Sequence, residues 1–248
     1  MREAKLQVEL LTMTANATDV VYAACRQCYS TGFAGDMFAD SVKGEPSLED
    51  KEKFIRKIVK SGHESPLEHV SLTFAVKGIS RSCSLQLVRH RMASYSQQSQ
   101  RYVSMDDFGF IIPPTINDDP ELKKLFTDSM EDIQQKYNAV VKALNKKGIT
   151  GEAAKQDARF ILPEASETKI VLTMNARELL HFFSQRCCSR AQWEIRRMAN
   201  RMLEIAKEKI PSIFGDEAGA KCERLKYCPE GDAFTCGRYP LKREATGR

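Results

Sequence analysis

The chain has 248 residues, of which 42% are hydrophobic and 29% are charged, and its formal net charge is +5. This composition is typical of one large globular domain or two small ones, and it excludes a disordered chain. No apolar run reaches the roughly 18 residues of a membrane-spanning helix, and the acidic, polar N-terminal residues do not resemble a secretion signal. The eight cysteines are therefore expected to be reduced thiols in a cytoplasmic protein.

The first third of the chain is predicted to contain both helices and strands. Strands are inferred where apolar residues alternate with polar ones, and helices where apolar residues recur every three or four positions. Ser47 is suited to begin a helix and Gly62 to end it. The expected elements are a strand at Lys5–Leu10, a helix at Ala17–Ser30, a loop over residues 31–46, a helix between Ser47 and Gly62, a strand at Val70–Val76 and a helix at Ser82–Met92.

The rest of the chain is predicted to be mainly helical as far as residue 214. The fold class is therefore α+β (mixed α/β), with a few-stranded sheet flanked by several helices. Beyond it, residues 215–248 are rich in Gly, Cys and charge without periodicity, so we expect an irregular tail after a domain of residues 1–214. The expected elements are a long helix from Asp119-Pro120 to Gly148, a shorter helix from Thr150 to before Pro163, a strand at Thr168–Met174, a helix capped by Asn175 and a helix at Arg190–Ile210.

The positive charge is concentrated in two places. No acidic residue occurs from His69 to Met105, and a second basic concentration runs from Arg186 to Arg201. In the second stretch Arg186, Arg190, Glu194 and Arg197 recur at three- and four-residue spacing, so they are expected to share a helix face. Arginines gathered without acids repel one another unless an anion lies among them, and the planar guanidinium suits phosphate.

The segment from Arg89 to Tyr102 has the most unusual composition in the chain. It contains three arginines, a histidine, three serines, three glutamines and two tyrosines, with few apolar residues. Such a concentration of hydrogen-bonding groups suits a phosphorylated, heteroaromatic ligand. Neither of the glycine-rich nucleotide-binding patterns is present, so side chains and helix ends are expected to hold the phosphate.

The motif in this segment resembles that of the flavin-dependent thymidylate synthase family. Arg89-His90-Arg91, seven further residues and Ser99 form the family's RHR-x7-S signature. Further blocks agree with the family in order and spacing over roughly residues 20–210. They are the segment from Gly62 to His69, Gln86, the segment from Ala158 to Pro163, Asn175-Ala176-Arg177, and Arg186 followed by the segment from Ala191 to Ile195.

The resemblance implies an enzyme that methylates dUMP to dTMP. It implies FAD and NADPH as cofactors and methylenetetrahydrofolate as the carbon donor, with residues 1–214 as the catalytic domain. It also implies a homotetramer with active sites where subunits meet, and neither nucleic acid nor membrane as a partner.

The resemblance also assigns residues to the two ligands. Some members of the family have asparagine at the position of His181 and histidine at the position of Arg190. The position of Gln97 is often held by Glu. The implied FAD positions are Ser65, Glu68, Arg89, His90, Arg91, Gln97, Asn175, Arg177, His181 and Arg190. The implied dUMP positions are Gln86, Leu87, Val88, Arg89, Gln97, Gln98, Ser99, Gln100, Arg101, Arg159 and Arg186.

The chemistry of methylation at C5 of uracil favours Arg186 as the catalytic residue. A guanidinium at the uracil edge would stabilise the negative charge that develops as N3 ionises, while reduced flavin would supply hydride. No cysteine is assigned as a nucleophile, because Cys83, Cys187 and Cys188 are read as small buried thiols. Ser99 is read as a substrate-binding hydroxyl, since no base is fixed beside it by spacing.

The remaining cysteines leave some alternatives open. Cys25 and Cys28 are expected to be buried thiols rather than a redox pair. Cys222, Cys228 and Cys236 have spacings of six and eight, which is not a usual zinc pattern, and a fourth ligand would have to come from Cys187 or Cys188; no metal is predicted.

Two other functions remain possible from the sequence. One is a flavin–NADPH oxidoreductase with another substrate, which would not need the set of Gln86, Arg101, Arg159 and Arg186. The other is a basic nucleic-acid-binding module, which would be colourless and bind polyanions with a strong salt dependence.

Overall fold

A computed structural model describes residues 2–215 and 218–247 of the chain. In these ranges the strands are short, with at most ten residues each. The strands are β1 (Arg2–Glu3), β2 (Gln7–Met13), β3 (Ser71–Ser80), β4 (Ala93–Gln97), β5 (Gly109–Phe110) and β6 (Glu167–Asn175).

The helices hold most of the ordered residues, and the longest has 27 residues. Single 3₁₀ turns occur at Ser65–His69, Arg159–Ile161 and Asp232–Phe234. The helices are α1 (Ala17–Gln27), α2 (Ala34–Lys43), α3 (Leu48–Lys60), α4 (Arg81–Leu87), α5 (Pro114–Asn117), α6 (Pro120–Lys146), α7 (Gly151–Ala158), α8 (Ala176–Arg186), α9 (Trp193–Lys209), α10 (Pro211–Phe214), α11 (Lys221–Leu225) and α12 (Lys242–Thr246).

Four strands form one sheet in the order β2–β3–β6–β4, and β1 pairs in parallel with β5 in a second, two-stranded sheet. The helix-rich α+β class predicted from the sequence is thus confirmed. Contacts divide the chain into two compact units. The first unit holds residues 2–7, 75–89 and 95–171, and the second holds residues 8–74, 90–94 and the described residues from 172 to 247. The predicted boundary between residues 214 and 215 stays a prediction.

Each unit has its own apolar core. In the first unit Phe108, Phe110 and Tyr137 pack together with Met130, and the buried amide of Gln134 bonds to the backbone at both Met105 and Phe108. In the second unit, helices α8, α9 and α10 bury Phe182, Phe183, Met198, Met202 and Phe214. The core of the second unit fixes α8, which carries several of the predicted site residues.

The capping residues read from the sequence are placed as expected. The Ser47 hydroxyl accepts a hydrogen bond from the backbone N–H of Asp50 at the start of α3. Asn175 Oδ1 accepts one from the backbone N–H of Glu178 at the start of α8. Asp119 does the same for the first turn of α6. Each cap satisfies a donor that the helix itself leaves unpaired.

Three predicted elements are wrong. The expected loop over residues 31–46, which three glycines and a proline suggested, contains α2, and one of those glycines, Gly44, ends this helix with a φ of +100°. The helix expected at Ser82–Met92 ends at Leu87, and Ala93–Gln97 forms strand β4.

The third error concerns the arginine face. Helix α8 ends at Arg186 and α9 begins only at Trp193, so Arg186, Arg190 and Arg197 do not lie on one helix. The break occurs where Gln192 Oε1 accepts hydrogen bonds from two backbone N–H groups and starts a new helix.

The backbone of Gly78 gives a direct test of packing in the first unit. Its φ is +68°, and a Cβ there would lie 1.9 Å from the carbonyl oxygen of Lys5. Gly148 also has a positive φ, +82°, but no atom lies within 4 Å of its Cβ position. We expect Gly148→Ala to cost about 1 kcal/mol through backbone strain alone, and Gly78→Ala to cost about 2 kcal/mol more through overpacking.

The measurement is the urea unfolding midpoint of both variants and the wild type at one protein concentration. Equal destabilisation by the two substitutions would contradict the close approach of the Lys5 carbonyl to Gly78.

Candidate active site

The RHR motif lies between α4 and β4, and its three side chains have different environments. Arg89 and Arg91 are exposed, whereas the His90 side chain is buried. The His90 ring packs at right angles against Phe182 of α8, with ring centroids 4.9 Å apart. The motif therefore presents two cations to solvent and inserts an imidazole into the core of the second unit.

The His90 imidazole lies between a cation and an acid. Arg186 Nε donates a hydrogen bond to His90 Nε2 at 3.0 Å. On the other side of the ring, His90 Nδ1 lies 3.4 Å from Glu178 Oε1. Since Nε2 accepts from Arg186, the proton of the neutral ring resides on Nδ1 and faces the carboxylate.

The electrostatics of this group favour the neutral ring. Burial, together with the charge of Arg186 and the neighbouring His181, lowers the pKa of His90 from 6.5 to about 4. Burial also raises the pKa of Glu178 above its ordinary value. A protonated His90 would offer no lone pair to Arg186, so the neutral form is needed to orient the guanidinium.

A cavity of about 580 Å³ lies in the second unit beside this group. This volume falls within the range of about 300–1,000 Å³ that is usual for small-molecule sites. Four of the ten predicted FAD residues line the cavity: Glu68, Asn175, Arg177 and His181. Four apolar side chains complete parts of its wall: Val59, Met92, Leu180 and Ile213.

The charges of the cavity wall are paired. Arg177 Nη1 donates to Glu68 Oε1 at 2.5 Å, and its Nε lies 3.8 Å from Glu64 Oε2. These two carboxylates raise the pKa of Arg177, with the Glu68 hydrogen bond as the main cause. The side chain of Arg177 is about half exposed, so its guanidinium remains accessible to a ligand.

The other predicted FAD residues of the second unit do not line this cavity. Ser65 and Arg91 are exposed, and His90 is engaged by Arg186 as described. Arg190 pairs with Glu230, and its guanidinium carbon lies 4.3 Å from the centre of the Phe234 ring. The structure thus links Arg190 to the C-terminal tail, which we define as residues 215–248.

The first unit carries the predicted dUMP residues other than Arg186. Gln97 Nε2 donates to the hydroxyls of Ser84 and Thr168, at 2.9 and 3.1 Å. The Ser99 hydroxyl accepts a hydrogen bond from the backbone N–H of Arg101 at 3.2 Å, and the Arg101 side chain pairs with Glu152. The amide of Gln97, the hydroxyl of Ser99 and the guanidinium of Arg101 therefore each have a defined orientation.

Gln100 is distinctive among the described residues. Its side-chain nitrogen is shielded from solvent and has no hydrogen-bond acceptor in reach. A buried donor without an acceptor costs roughly 1–3 kcal/mol, and such groups require an explanation. A bound ligand that supplies an acceptor would remove this cost.

The remaining predicted dUMP positions differ in accessibility. Leu87 is fully buried, and its carbonyl accepts a hydrogen bond from the Tyr95 hydroxyl. Gln86 and Gln98 are half-buried, whereas Val88, Arg89 and Arg159 are exposed. The side chain of Leu87 therefore packs in the core, and its contribution to the site is to hold the adjacent residues in position.

The cysteines occupy varied environments. Cys25 is buried as predicted, but Cys28 is exposed, because α1 ends at Gln27 and the following residue lies at the surface. Cys188, Cys222, Cys228 and Cys236 line a small cavity of about 20 Å³. Within residues 2–215 and 218–247, no group of three or more metal-ligating side chains is arranged to hold an ion.

Sequence reasoning did not identify several residues of the second unit that shape the site. Glu64 lies inside the block from Gly62 to His69 and Glu178 directly follows Asn175-Ala176-Arg177, and an acid next to these block residues was the available signal. Lys221 and Arg224 also line the cavity, but they lie in the aperiodic tail, where the sequence gives no local signal.

The family model of the thymidylate synthase complementing proteins matches residues 9–212. The match covers most of the chain and both groups of predicted site residues, so the chain belongs to this family.

Curated relatives agree over nearly the whole chain. A flavin-dependent thymidylate synthase of Nitratidesulfovibrio vulgaris is 52% identical over 236 residues, which cover 95% of this chain and 96% of the relative. Proteins with the same name from Clostridium tetani and Geobacter sulfurreducens are 46% and 44% identical, and each alignment covers 94% of both chains.

In the described part of the chain, no helix has both the length and the apolar character needed to cross a membrane.

The lowered pKa of His90 predicts a pH dependence of stability. The unfolded chain binds more protons than the folded chain between pH 6.5 and about 4, so stability falls as the pH falls through this window. In the His90→Gln variant the amide oxygen can still accept from Arg186 but does not titrate. We expect its unfolding free energy to fall less steeply than that of the wild type across the same window.

The measurement is the urea unfolding midpoint of both proteins at several pH values. The raised pKa of Glu178 contributes with the opposite sign, so the difference between the two proteins is the informative quantity. Parallel curves would show that His90 titrates normally in the folded chain.

Proposed function

We propose that this chain is a flavin-dependent thymidylate synthase, which methylates dUMP to dTMP with methylenetetrahydrofolate as carbon donor and NADPH as reductant. The observation that carries this proposal is the hydrogen bond from Arg186 Nε to His90 Nε2, within a family whose curated relatives bear this name. The chain offers a cation for an ionising uracil, donors for a nucleotide and a cavity for a flavin.

The cavity of the second unit fits FAD. Its volume and its mixture of apolar side chains, amides and cations suit a ligand that combines a fused ring with a diphosphate. Glu68, Asn175, Arg177 and His181 would hold the cofactor there. When bound, reduced FAD supplies the hydride of the reaction.

The polar segment after the RHR motif fits dUMP. The buried nitrogen of Gln100 has a donor to offer, and a uracil carbonyl or a phosphate oxygen would accept it. Ser99 and Arg101 flank this residue in the chain, and both have defined partners. We therefore assign Gln100 to substrate binding together with Ser99, Arg101, Gln86 and Arg159.

Arg186 is the catalytic residue in this proposal. Its Nε donates to His90 Nε2, which fixes the plane of the guanidinium and so the directions of its terminal nitrogens. A guanidinium fixed in this way stabilises negative charge on the uracil ring without reorganising during the reaction. His90 and Glu178 serve as positioning residues for Arg186.

The thiols of the folded core are poor candidates for a nucleophile. Burial raises the pKa of Cys187 to about 12 and that of Cys25 to about 11, so neither is a thiolate near neutral pH. Cys83 is fully buried. These properties support a mechanism without a cysteine adduct, in which Ser99 binds the substrate.

The assembly is proposed to be a homotetramer with active sites where subunits meet, in the cytoplasm. Large apolar side chains are exposed beside the predicted site residues: Met92 is 70% exposed and Phe160 is 83% exposed. Subunits that cover such side chains would remove apolar surface from water, which favours association. NADPH and methylenetetrahydrofolate are assigned as co-substrates without specific contacts.

The test of this function is the release of tritium from C5-labelled dUMP by the purified full-length protein. We expect a yellow protein with a flavin absorption spectrum, and release that requires both NADPH and methylenetetrahydrofolate. Release without dTMP formation would indicate only exchange at C5. A flavin-loaded protein that releases no tritium would contradict the proposal.

Substitutions of Arg186 and Ser99 separate the two roles. We expect Arg186→Lys to lower kcat by about 10²–10³, because lysine cannot both bond to His90 and present a second donor in a fixed direction. Ser99→Ala should retain turnover with a raised KM for dUMP. Steady-state kinetics of both variants provide the measurement. A Ser99→Ala variant that binds dUMP normally but does not turn over would instead identify Ser99 as a nucleophile.

A further inference from the structure

The C-terminal tail forms part of the cavity that we assign to FAD. Ala218, Gly219, Ala220 and Lys221 line it, and so do Arg224 and Leu225. The family model ends at residue 212, so these wall residues lie outside the region that the family match covers.

Arg224 connects the tail to a predicted flavin residue. Its Nη1 donates to Glu64 Oε1 at 3.2 Å, while Glu64 Oε2 lies 3.8 Å from Nε of Arg177. Glu64 therefore lies between two guanidinium groups, one from the tail and one from α8. The Glu64 side chain is 23% exposed and both arginines are more than 50% exposed, so the carboxylate is the sheltered centre of this group.

A second ion pair anchors the same part of the tail. Glu230 pairs with Arg190, and Lys221 Nζ lies 3.4 Å from Glu230 Oε1. Arg190 also stacks over the ring of Phe234. Lys221 lines the cavity, so this pair holds a wall residue in place at the start of α11.

We propose that the tail completes the flavin-binding cavity and that Arg224 is a positioning residue for Arg177, acting through Glu64. With Arg224 present, each oxygen of Glu64 faces a different guanidinium. Without it, both oxygens are available to Arg177, whose guanidinium is then drawn toward Glu64 and away from the cavity. This inference rests on the proposed function, because it assumes that the cavity binds FAD.

Removal of Arg224 has a second consequence that also lowers the affinity for FAD. It takes one positive charge from a wall that also carries Glu64 and Glu68. The diphosphate of FAD is anionic, so its affinity falls when the local charge becomes more negative. Orientation and charge must therefore be separated by experiment.

The experiment compares FAD dissociation constants of full-length variants, measured from the recovery of flavin fluorescence as each holoenzyme is diluted. Arg224→Ala should weaken binding about three- to tenfold, the range expected for the loss of a partly exposed ion pair. Arg224→Lys keeps the charge but not the forked geometry, and it should give a smaller loss. The control is Arg243→Ala, which removes a tail cation paired with Asp232 and should leave FAD affinity unchanged.

A double-mutant cycle with Glu64→Gln tests the route of the effect. If Arg224 acts mainly through Glu64, only the screened effect of its charge remains in the Glu64→Gln background, so Arg224→Ala should change FAD affinity there less than about twofold. The same loss in both backgrounds would show instead that Arg224 acts on the ligand directly, which would overturn the positioning role. Equal affinities for Arg224→Ala and the wild type would overturn the contribution of the tail.

The two proposals fail in different ways. A wild-type protein that retains no flavin would contradict the proposed function, whereas a flavin-bound wild type with an unaffected Arg224→Ala variant would contradict only the role of the tail. Far-ultraviolet circular dichroism and the unfolding midpoint of each variant establish that it is folded.

Discussion

The hydrogen bond from Arg186 to a neutral His90 is the interaction on which the proposed chemistry depends. It uses the Nε of the guanidinium and thereby fixes the direction of the remaining donors. The imidazole is buried against Phe182 and faces Glu178 on its other side. Burial and the charge of Arg186 keep the ring uncharged, and only an uncharged ring can accept the bond. The low-dielectric environment thus helps to orient Arg186, because it disfavours the protonated form of His90, which could not accept the hydrogen bond.

The same arrangement explains how the central histidine of the RHR motif differs from its neighbours. Arg89 and Arg91 are exposed, in positions where they can meet anions, whereas His90 points into the core. The side chains of the motif alternate between solvent and core because the chain leaves α4 and approaches β4 at this point. The cavity wall shows a related arrangement, in which Arg177 and Arg224 share the more sheltered carboxylate of Glu64.

Local sequence signals predicted the long elements well. The alternation of β3, the caps Ser47 and Asn175 and the proline that begins α6 all depend on interactions within a few residues. The errors arose where local signals were ambiguous. Glycines between residues 31 and 46 suggested a loop, although α2 accommodates Gly35 and uses Gly44 as its end. Strand β4 lies at an edge of its sheet and is polar, so it lacked the apolar alternation that identifies a strand.

The sequence supplied a set of candidate site residues but not their geometry. The family resemblance named His90 and Arg186 in separate blocks, yet 96 positions separate them and no spacing rule connects them. The partner Glu178 and the tail residue Arg224 were missed because their roles arise from tertiary contacts with His90 and Glu64. Long-range pairs of this kind depend on the packing of α8 and the tail, which local periodicity does not encode.

The central claim is that His90 is neutral and carries its proton on Nδ1. Nitrogen-15 NMR of the histidine side chains tests it most directly, because the chain has only four histidines and substitution can assign each one. The account predicts an Nδ1–H tautomer for His90 at neutral pH, and no titration until the pH approaches about 4. An Nε2–H tautomer, or a His90 that protonates near pH 6.5, would contradict it.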